Sequence, residues 1–395
     1  MKVWLPALSG LIVGAVLSTA SAQDKKYGPG VSDTEIKIGH TAPYSGPVSA
    51  YGAVGRAMAG VFKKVNSEGG INGRKVSFLT LDDAYSPPKT VEQTRKLVEQ
   101  DQVLLIFGAT GTPSNTAVHK YLNSKKVPQL FVQSGASKFN DTASYPWTTP
   151  LYPSYHLEQK IYADFILKQR PDARIAAIYP NDDFGKDNLA GLKQALAARG
   201  KSLVMEQSYE TTDATIDSQI ITLKGSGADV FVNLSTPKFA AQAIRKAADI
   251  GWAPLHILTN VSSSISTVLA PAGLNNATGI ITAAFIKEPG DPIWADDADV
   301  KAYVAFLKAW DPQDSPDDVF GVIGYVAANT LRHVLDRAGS NLTRENVMAQ
   351  AKSLDAFRPP MLLPGITLST TPQDVAAYRQ LRLQRFNGQK WVLLD

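Results

Sequence analysis

Short runs rich in β-branched and aromatic residues alternate with longer helical patterns along most of the chain. Strand-like runs such as EIKIGH, KVSFLTL and RIAAIYP are followed by helical segments such as GAVGRAMAGVFKKVNSE, PKTVEQTRKLVEQ and GKDNLAGLKQALAARG. Strands separated by helices form βαβ units with parallel strands. The runs VLLIF and RIAAIY are apolar throughout, which is typical of strands covered by helices on both faces. The alternation therefore predicts an α/β protein built on parallel sheets.

The alternation is interrupted at YPWTTPLYPSY, a segment that contains three prolines. A chain of 395 residues is long enough for two domains with full cores. We interpret the proline-rich segment as a crossover between two α/β lobes. Ligands bind such sheets outside the carboxyl ends of the strands, where the connecting loops cluster. These loops combine hydroxyl groups, small residues and single aromatics, as in TAPYSGPVSAYG, DDAYSPP, GATGTPSN, QSGASKF, PNDDFGKD, STPKF and TNVSSS.

The first 22 residues have the pattern of a cleavable secretory signal. Lys2 is the one charge ahead of an apolar run from Val3 to Leu17, and Ala20-Ser21-Ala22 forms an A-x-A cleavage site. About 15 apolar residues are fewer than the roughly 20 that span a bilayer, so cleavage is favoured over a membrane anchor. We expect a signal peptide over residues 1–22 and a mature protein in the periplasm.

The composition argues against several classes of function. The chain has no cysteine, which excludes disulfides, thiolate metal sites, a cysteine nucleophile and a lipid-anchored cysteine. Its net charge of +4 comes from scattered lysines and arginines, so nucleic acid is not an expected partner. The five histidines are dispersed and belong to neither an HExxH pair nor a GxSxG elbow. We expect neither an enzyme nor a bound cofactor or metal.

The segment VLLIFGATGTPSNTAV, residues 103–118, resembles the start of a nucleotide-binding turn. A dinucleotide fingerprint needs a third glycine, but that position holds Ser114, preceded by Pro113, and the loop follows the third strand rather than the first. What remains is a helix N-terminus beside Thr112. Its free N–H groups and hydroxyls suit one small anion such as a carboxylate, whereas Thr112 or Ser114 could equally serve as the helix N-cap. The sequence leaves both roles open.

Four segments together resemble the branched-chain amino acid and amide-binding family of periplasmic solute-binding proteins: IKIGHTAPYSGPVSAYG, VNSEGGINGRKV, LDDAYSPPKTVEQTRKL and VPQLFVQSGASKF. In the second of these, Gly69-Gly70 suits a left-handed helix end and Asn72-Gly73 a tight turn into the next strand. The resemblance extends from about Glu35 to Leu394.

The resemblance implies a type I periplasmic binding fold, in which two Rossmann-like lobes with parallel sheets close on a ligand like a Venus flytrap. The lobes would be joined by a three-strand hinge, with crossovers near Pro150, Gly279 and Arg358. The expected divisions are a first lobe of residues 33–149 plus 280–357 and a second lobe of residues 150–279 plus 358–395.

The resemblance also implies which residues touch the ligand. Tyr51 and Phe320 would pack on the ligand body, and Thr112 would contact its carboxylate. The loop that contains Gly135 and Ser137 would add backbone groups and a hydroxyl. The full expected set is Tyr51, Thr112, Gly135, Ala136, Ser137, Tyr155, Phe184, Ser235, Thr236, Asn260 and Phe320.

Two departures from the family pattern bear on the ligand. Asn260 stands where amino-acid binders have a glutamate that pairs with the ligand ammonium, and burying an unpaired ammonium costs several kcal/mol. The disulfide that commonly links the loops around Tyr85 and Gly111 is absent. Asp182 or Asp183 would be an alternative source of negative charge, or else a solvated acid or helix cap. We therefore expect a pocket for a carboxylate without an ammonium, or for a neutral amide.

These features predict the solute-binding component of an ABC importer. It would capture a small hydrophobic or aromatic carboxylic acid and, as a monomer, deliver it to permease subunits driven by cytoplasmic ATPases. One alternative is binding of branched-chain or other hydrophobic amino acids, or of short amides or urea, in the same cleft. Another is a sensor that presents ligand to a membrane receptor; a sensor ectodomain would need an anchor or signalling domain, which we do not expect beyond WVLLD.

The signal motif generates a direct prediction about processing. Mature protein from the envelope fraction should begin at Gln23, or within a residue or two of it, because cleavage follows Ala22. Intact-mass spectrometry measures this end. Cytoplasmic protein that retains Met1 would contradict the prediction.

Overall fold

The computed structural model describes residues 1–4 and 25–394, so most of the expected signal segment, residues 1–22, lies outside the described residues. Within the described ranges, no helix combines the length and apolarity needed to cross a membrane.

The first part of the chain alternates strands and helices as the sequence predicts. In chain order its elements are β1 (Lys26–Tyr27), β2 (Glu35–Ala42), α1 (Gly52–Ser67), β3 (Lys75–Asp82), α2 (Pro87–Arg95), β4 (Leu105–Phe107), α3 (Thr112–Ser124), β5 (Gln129–Val132) and β6 (Thr148–Pro150). Five of these strands form a parallel sheet in the order β3-β2-β4-β5-β6. β2 and β3 pair over their full length, from Glu35 opposite Lys75 to Ala42 opposite Asp82.

The turn between α1 and β3 confirms the expected role of its glycines. Gly70 has a φ of +82° and Asn72 a φ of +48°, both in the left-handed region. Ile71 and Arg74 exchange backbone hydrogen bonds of 2.8 and 2.9 Å across the turn. This tight connection brings β3 back beside β2.

The middle of the chain builds the core of a second sheet. Its elements are α4 (Tyr155–Gln169), β7 (Ile175–Pro180), α5 (Asp183–Ala197), β8 (Leu203–Tyr209), α6 (Asp217–Gly225), β9 (Val230–Asn233), α7 (Pro237–Asp249), β10 (Leu255–Leu258), α8 (Ala270–Ala272) and β11 (Ile281–Ala284). β7, β9, β10 and β11 are parallel neighbours in that order, and β8 pairs with the outer edge of β7. β7 and β9 are buried almost throughout, in line with their apolar sequences, whereas the edge strand β8 is mostly half-buried or exposed.

The remaining elements of the chain are divided between the two lobes. Its elements are α9 (Ala298–Trp310), α10 (Val319–Ala338), β12 (Asn341–Leu342), α11 (Arg344–Ala351), β13 (Arg382–Phe386) and β14 (Trp391–Leu393). β12 pairs with β1, and β13 and β14 complete the second sheet as antiparallel strands in the order β14-β13-β11-β10-β9-β7-β8. The second sheet is therefore mixed rather than purely parallel.

The position of β11 corrects one expected lobe limit. We expected the chain to return to the first lobe at residue 280, but β11 pairs with β10 and with β13 inside the second sheet. The return follows Ala284, because residues 281–284 are a fully buried strand of that sheet. Gly279, which prompted the earlier limit, has a φ of +90° and ends the preceding turn.

Three segments cross between the lobes, and their aromatic side chains pack together. The rings of Tyr152 and Phe285 have centroids 5.6 Å apart, and those of Phe285 and Tyr378 are 4.9 Å apart. The second and third crossings also run antiparallel, with Leu363 N–H donating to the Phe285 carbonyl at 3.0 Å and Lys287 N–H to the Met361 carbonyl at 2.8 Å. Phe285 thus contacts both other crossing segments.

Packing of α1 against α10 in the first lobe depends on a glycine. A Cβ added at Gly324 would lie 2.1 Å from the Val54 carbonyl oxygen, so the two helix backbones are in direct contact there. Gly225, at the exposed end of α6, has nothing within 4 Å of its own Cβ position.

We predict that Gly324→Ala lowers the free energy of unfolding by about 1–3 kcal/mol or more, because α1 and α10 must separate to admit the methyl group. Gly225→Ala is the matched control and should be neutral or slightly stabilising, since alanine favours helix over glycine. Urea unfolding monitored by circular dichroism measures both. Equal stability of the two variants would contradict the proposed close packing.

Candidate functional site

A cavity lies between the two lobes, at the carboxyl ends of both sheets. Its walls come from the starts of six helices and from the loops beside them, and most of these helices follow a strand that ends at this edge. Three of these helices belong to each lobe. The lining residues are Tyr51, Val54, Tyr85, Thr110, Gly111, Thr112, Gln133, Tyr152, Tyr155, Phe184, Thr236, Val261, Phe320 and Ile323.

Two aromatic pairs face each other across the cavity, one from each lobe. In the first lobe, Tyr51 and Phe320 pack edge to face with centroids 5.1 Å apart at 78°. In the second lobe, Tyr155 and Phe184 pack in the same way at 5.3 Å and 81°. Tyr51 also donates from its hydroxyl to the Val261 carbonyl at 3.2 Å, which joins the lobes. Edge-to-face pairs hold rings in fixed orientations, so the cavity has rigid apolar walls.

One end of the cavity is polar and belongs to the first lobe. Thr110, Gly111 and Thr112 form the loop between β4 and α3, and Gln133 follows β5 beside them. The N-cap of α3 is Gly111, so neither Thr112 nor Ser114 takes the capping role that the sequence left open. Thr112 is the first helical residue, and its hydroxyl lies 2.8 Å from that of Ser134. The first N–H groups of a helix have no intrahelical acceptor, so this end can donate hydrogen bonds.

Six of the eleven residues expected from the resemblance line this cavity: Tyr51, Thr112, Tyr155, Phe184, Thr236 and Phe320. The other five lie outside the lining: Gly135, Ala136, Ser137, Ser235 and Asn260. Contact between any of these residues and a ligand stays a prediction.

Ser137 lies at the rim of the cleft instead of in the cavity. Its hydroxyl donates to Asp187 at 2.6 Å, and its backbone N–H donates to the same carboxylate. Next to it, Lys138 pairs with Asp183 at 2.9 Å. Both acids lie on α5 of the second lobe, so these contacts form a clasp between the lobes.

Gly135 and Ala136 have a structural role, as their contacts within the protein show. A Cβ at Gly135 would lie 2.0 Å from the Pro153 carbonyl oxygen, and its own carbonyl accepts from Tyr155 N–H at 2.9 Å. Ala136 is fully buried. The loop therefore sets the position of Tyr155, which does line the cavity.

Asn260 is held by a buried carboxylate that the sequence did not reveal as part of the site. Its backbone N–H and side-chain amide donate to Glu158 at 2.8 and 3.0 Å, and its side-chain oxygen accepts from Tyr152 at 2.6 Å. Glu158 is fully buried and also accepts from Tyr162 and Thr259. Burial raises the pKa of Glu158 to about 7, despite these hydrogen bonds. A glutamate at position 260 would place a second carboxylate against Glu158.

The two acids considered as alternative charge partners have separate roles. Asp182 caps α5, accepting from Gly185 N–H at 3.0 Å, while Asp183 pairs with Lys138. The second oxygen of Asp182 is buried and has no donor within residues 25–394. Burial raises the pKa of Asp182.

Tyr85 lines the cavity, although the sequence singled out its loop and not the residue. Ala84 and Tyr85 have φ values of +52° and +60°, a left-handed conformation that side chains rarely adopt. The Tyr85 ring packs on Gly111, where an added Cβ would lie 2.5 Å from the ring. A ring on a glycine thus joins the β3–α2 loop to the β4–α3 loop.

The raised pKa of Glu158 predicts a pH dependence of stability. An acid with a higher pKa in the folded state stabilises the fold below its unfolded pKa, and this contribution is lost as the pH rises through the folded value. Stability should therefore fall between about pH 4.5 and pH 7.

The Glu158→Gln variant should remove this component of the pH dependence, because its amide does not titrate. Glu92→Gln, on the exposed face of α2, is the matched control and should retain it. Urea midpoints measured across this pH range test the effect. An unchanged slope in Glu158→Gln would contradict the assignment to Glu158.

Comparison with known proteins agrees with this geometry. A family model described as "Periplasmic binding protein" matches residues 35–390. Leu/Ile/Val-binding protein homolog 3 of Brucella melitensis is 26% identical over 364 residues, which covers 90% of each chain. The match to Leu/Ile/Val-binding protein homolog 7 of Brucella abortus, at 24% identity, spans 61% of this chain and 62% of that relative's length.

The fold is shared with solved structures. A branched-chain amino acid ABC transporter protein from Thermus thermophilus with bound valine superimposes with a TM-score of 0.84 at 16% identity, covering 92% of this chain and 96% of that one. The family-model match covers the whole first sheet, all of the second sheet except β14, and all three crossing segments. The chain therefore belongs to the periplasmic binding protein family and has the type I fold of its branched-chain amino acid-binding members.

Proposed function

We propose that this protein is the solute-binding component of an ABC importer, located in the periplasm, and that it captures a small aromatic or otherwise hydrophobic carboxylic acid between its lobes. It acts as a monomer and delivers the acid to permease subunits driven by cytoplasmic ATPases. The observation that carries the proposal is an aromatic-walled cavity whose lining side chains, all within the described residues, bear no charge.

The apolar part of the cavity suits a flat or hydrophobic body. Tyr51, Phe320, Tyr155 and Phe184 present ring faces and edges from both lobes, and Val54, Val261 and Ile323 fill the spaces between them. Aromatic rings in fixed orientations favour a ligand that also stacks or packs edge to face.

The polar end suits a carboxylate. Gly111 and Thr112 present the start of α3 to the cavity, and the positive end of a helix dipole favours an anion. The hydroxyl of Thr112 adds a donor to the same end. Hydrogen bonds can thus hold a carboxylate without a cationic side chain.

The charge distribution disfavours an ammonium group. Asn260 is neutral, and the nearby Glu158 is already occupied by hydrogen bonds from Asn260, Tyr162 and Thr259. A zwitterion would therefore bury its ammonium without a free counter-ion in the cavity wall, at a cost of several kcal/mol.

A hydrophobic amino acid is the second candidate, and the buried, unpaired oxygen of Asp182 favours it. Asp182 lies two residues before Phe184, so a modest shift of the loop would bring its carboxylate toward a ligand ammonium. The names of the relatives also point to leucine, isoleucine and valine.

Short amides or urea would leave the aromatic walls without contacts. A sensor that presents ligand to a membrane receptor would use the same cleft, and ligand uptake in a strain lacking the protein distinguishes it from a transporter component.

Calorimetry with a matched pair of ligands tests the proposal. The ligand-stripped protein should bind 3-phenylpropanoate more tightly than phenylalanine, because the two differ by the ammonium group for which the cavity offers no free counter-ion. Tighter binding of phenylalanine that is lost in Asp182→Asn would establish the second candidate instead.

The same titration locates the carboxylate. Thr112→Val should weaken 3-phenylpropanoate by roughly 10- to 150-fold, since a hydrogen bond to a charged group contributes about 1.5–3 kcal/mol. Thr222→Val, in α6 on the far side of the second lobe, is the matched control and should leave the affinity unchanged. Equal affinities of the two variants would contradict the placement of the carboxylate at α3.

A further inference from the structure

Two polar side chains lie next to each other at the polar end of the cavity. Thr110 and Gln133 form a parallel β-bridge just beyond the ends of β4 and β5, with Gln133 N–H donating to the Ala109 carbonyl at 3.0 Å. Both line the cavity, and they are 5% and 6% exposed.

Neither side chain has its hydrogen bonds completed by the protein. The hydroxyl of Thr110 and the side-chain oxygen of Gln133 have no partner within residues 25–394. Buried polar groups are nearly always paired, and an unpaired one is costly. The described part of the chain therefore leaves two neighbouring groups that a ligand would complete.

The orientation of the Gln133 amide makes its free atom an acceptor. Its nitrogen donates to the Phe131 carbonyl at 3.0 Å. Turning the amide over would place its oxygen against that carbonyl, and two acceptors do not bond. The pair therefore consists of one fixed acceptor, on Gln133, and one hydroxyl that both donates and accepts, on Thr110.

A ligand hydroxyl is the neutral group that matches this pair. It would donate to the Gln133 oxygen and accept from the Thr110 hydroxyl, completing both. A carboxylate has no proton for Gln133. An ammonium can donate to both oxygens, but it would leave the Thr110 proton without an acceptor and bury a positive charge without a counter-ion. Because Thr110, Thr112 and Gln133 line the same end of the cavity, the hydroxyl that meets this pair belongs on a carbon close to a carboxylate held at Thr112.

We infer that Gln133 and Thr110 select a 2-hydroxy acid with a hydrophobic or aromatic body. The inference rests on the proposed function, since it takes the carboxylate at Thr112 as given, and it narrows the ligand class by adding a second required group. Gln133 acts as the specificity-determining acceptor.

Three ligands that differ only in one substituent on the carbon next to the carboxylate test the inference. 3-Phenylpropanoate, 3-phenyllactate and phenylalanine carry a hydrogen, a hydroxyl and an ammonium on the same carbon. Calorimetry should give 3-phenyllactate an affinity about ten-fold or more above that of 3-phenylpropanoate. Equal or weaker binding of 3-phenyllactate would overturn the role of Gln133 and leave the proposed function standing. Tightest binding of phenylalanine would overturn the proposed function itself.

Variants then assign the preference to a residue. Gln133→Met should bring 3-phenyllactate down to the affinity of 3-phenylpropanoate, because the acceptor is lost while the chain length is kept. Gln242→Met is the matched control: Gln242 also has an unpaired side-chain oxygen but lies on α7 outside the lining, so the ten-fold preference should persist. An equal loss for both acids in Gln133→Met would show a merely structural role and overturn the inference.

Thr110→Val provides a second, nearly isosteric variant should Gln133→Met fail to fold. It removes the hydroxyl that donates to the ligand hydroxyl, so the affinity for 3-phenyllactate should fall by more than the affinity for 3-phenylpropanoate. An undiminished preference in Thr110→Val would contradict the shared hydroxyl site.

Discussion

The parallel direction of the strands determines where the helices, the loops and the cavity of this molecule lie. In each sheet the helices begin at the edge where the strands end, so loops and helix N-termini gather there. The two sheets turn those edges toward each other, and six helices begin around one cavity. The site is therefore shared: one edge-to-face aromatic pair comes from each lobe, and the polar end comes from the first.

The two lobes are held together on opposite sides of the cavity. The crossing segments are packed through Phe285, which contacts Tyr152 and Tyr378, whereas the opposite rim is held by Ser137–Asp187 and Lys138–Asp183. A partly exposed ion pair such as Lys138–Asp183 contributes about 0–1 kcal/mol. We expect a packed hinge with a weak clasp to let a ligand that touches both lobes shift the balance toward closure.

The buried carboxylate of Glu158 lies behind the residues that line the cavity. Glu158 is fully buried and ties Asn260 to Tyr162 and Thr259, so the neutral side chain at position 260 serves the hydrogen-bond network of the second lobe. From the sequence alone, an asparagine in place of a glutamate at position 260 indicates only that a charge is missing. The structure adds that a carboxylate lies directly beside it and is already satisfied.

Local sequence patterns determined much of this protein: the alternation of strands and helices, the tight turn at Asn72, and, through family resemblance, six residues of the cavity. The limit at residue 280 was wrong, because pairing of β11 with β13 depends on a segment a hundred residues later. Tyr85 and Gln133 also needed the structure. A left-handed backbone turns one into the cavity, and a bond to the Phe131 carbonyl orients the other. Periodicity reflects burial near each residue, whereas the orientation of a side chain in a cavity depends on contacts between distant segments.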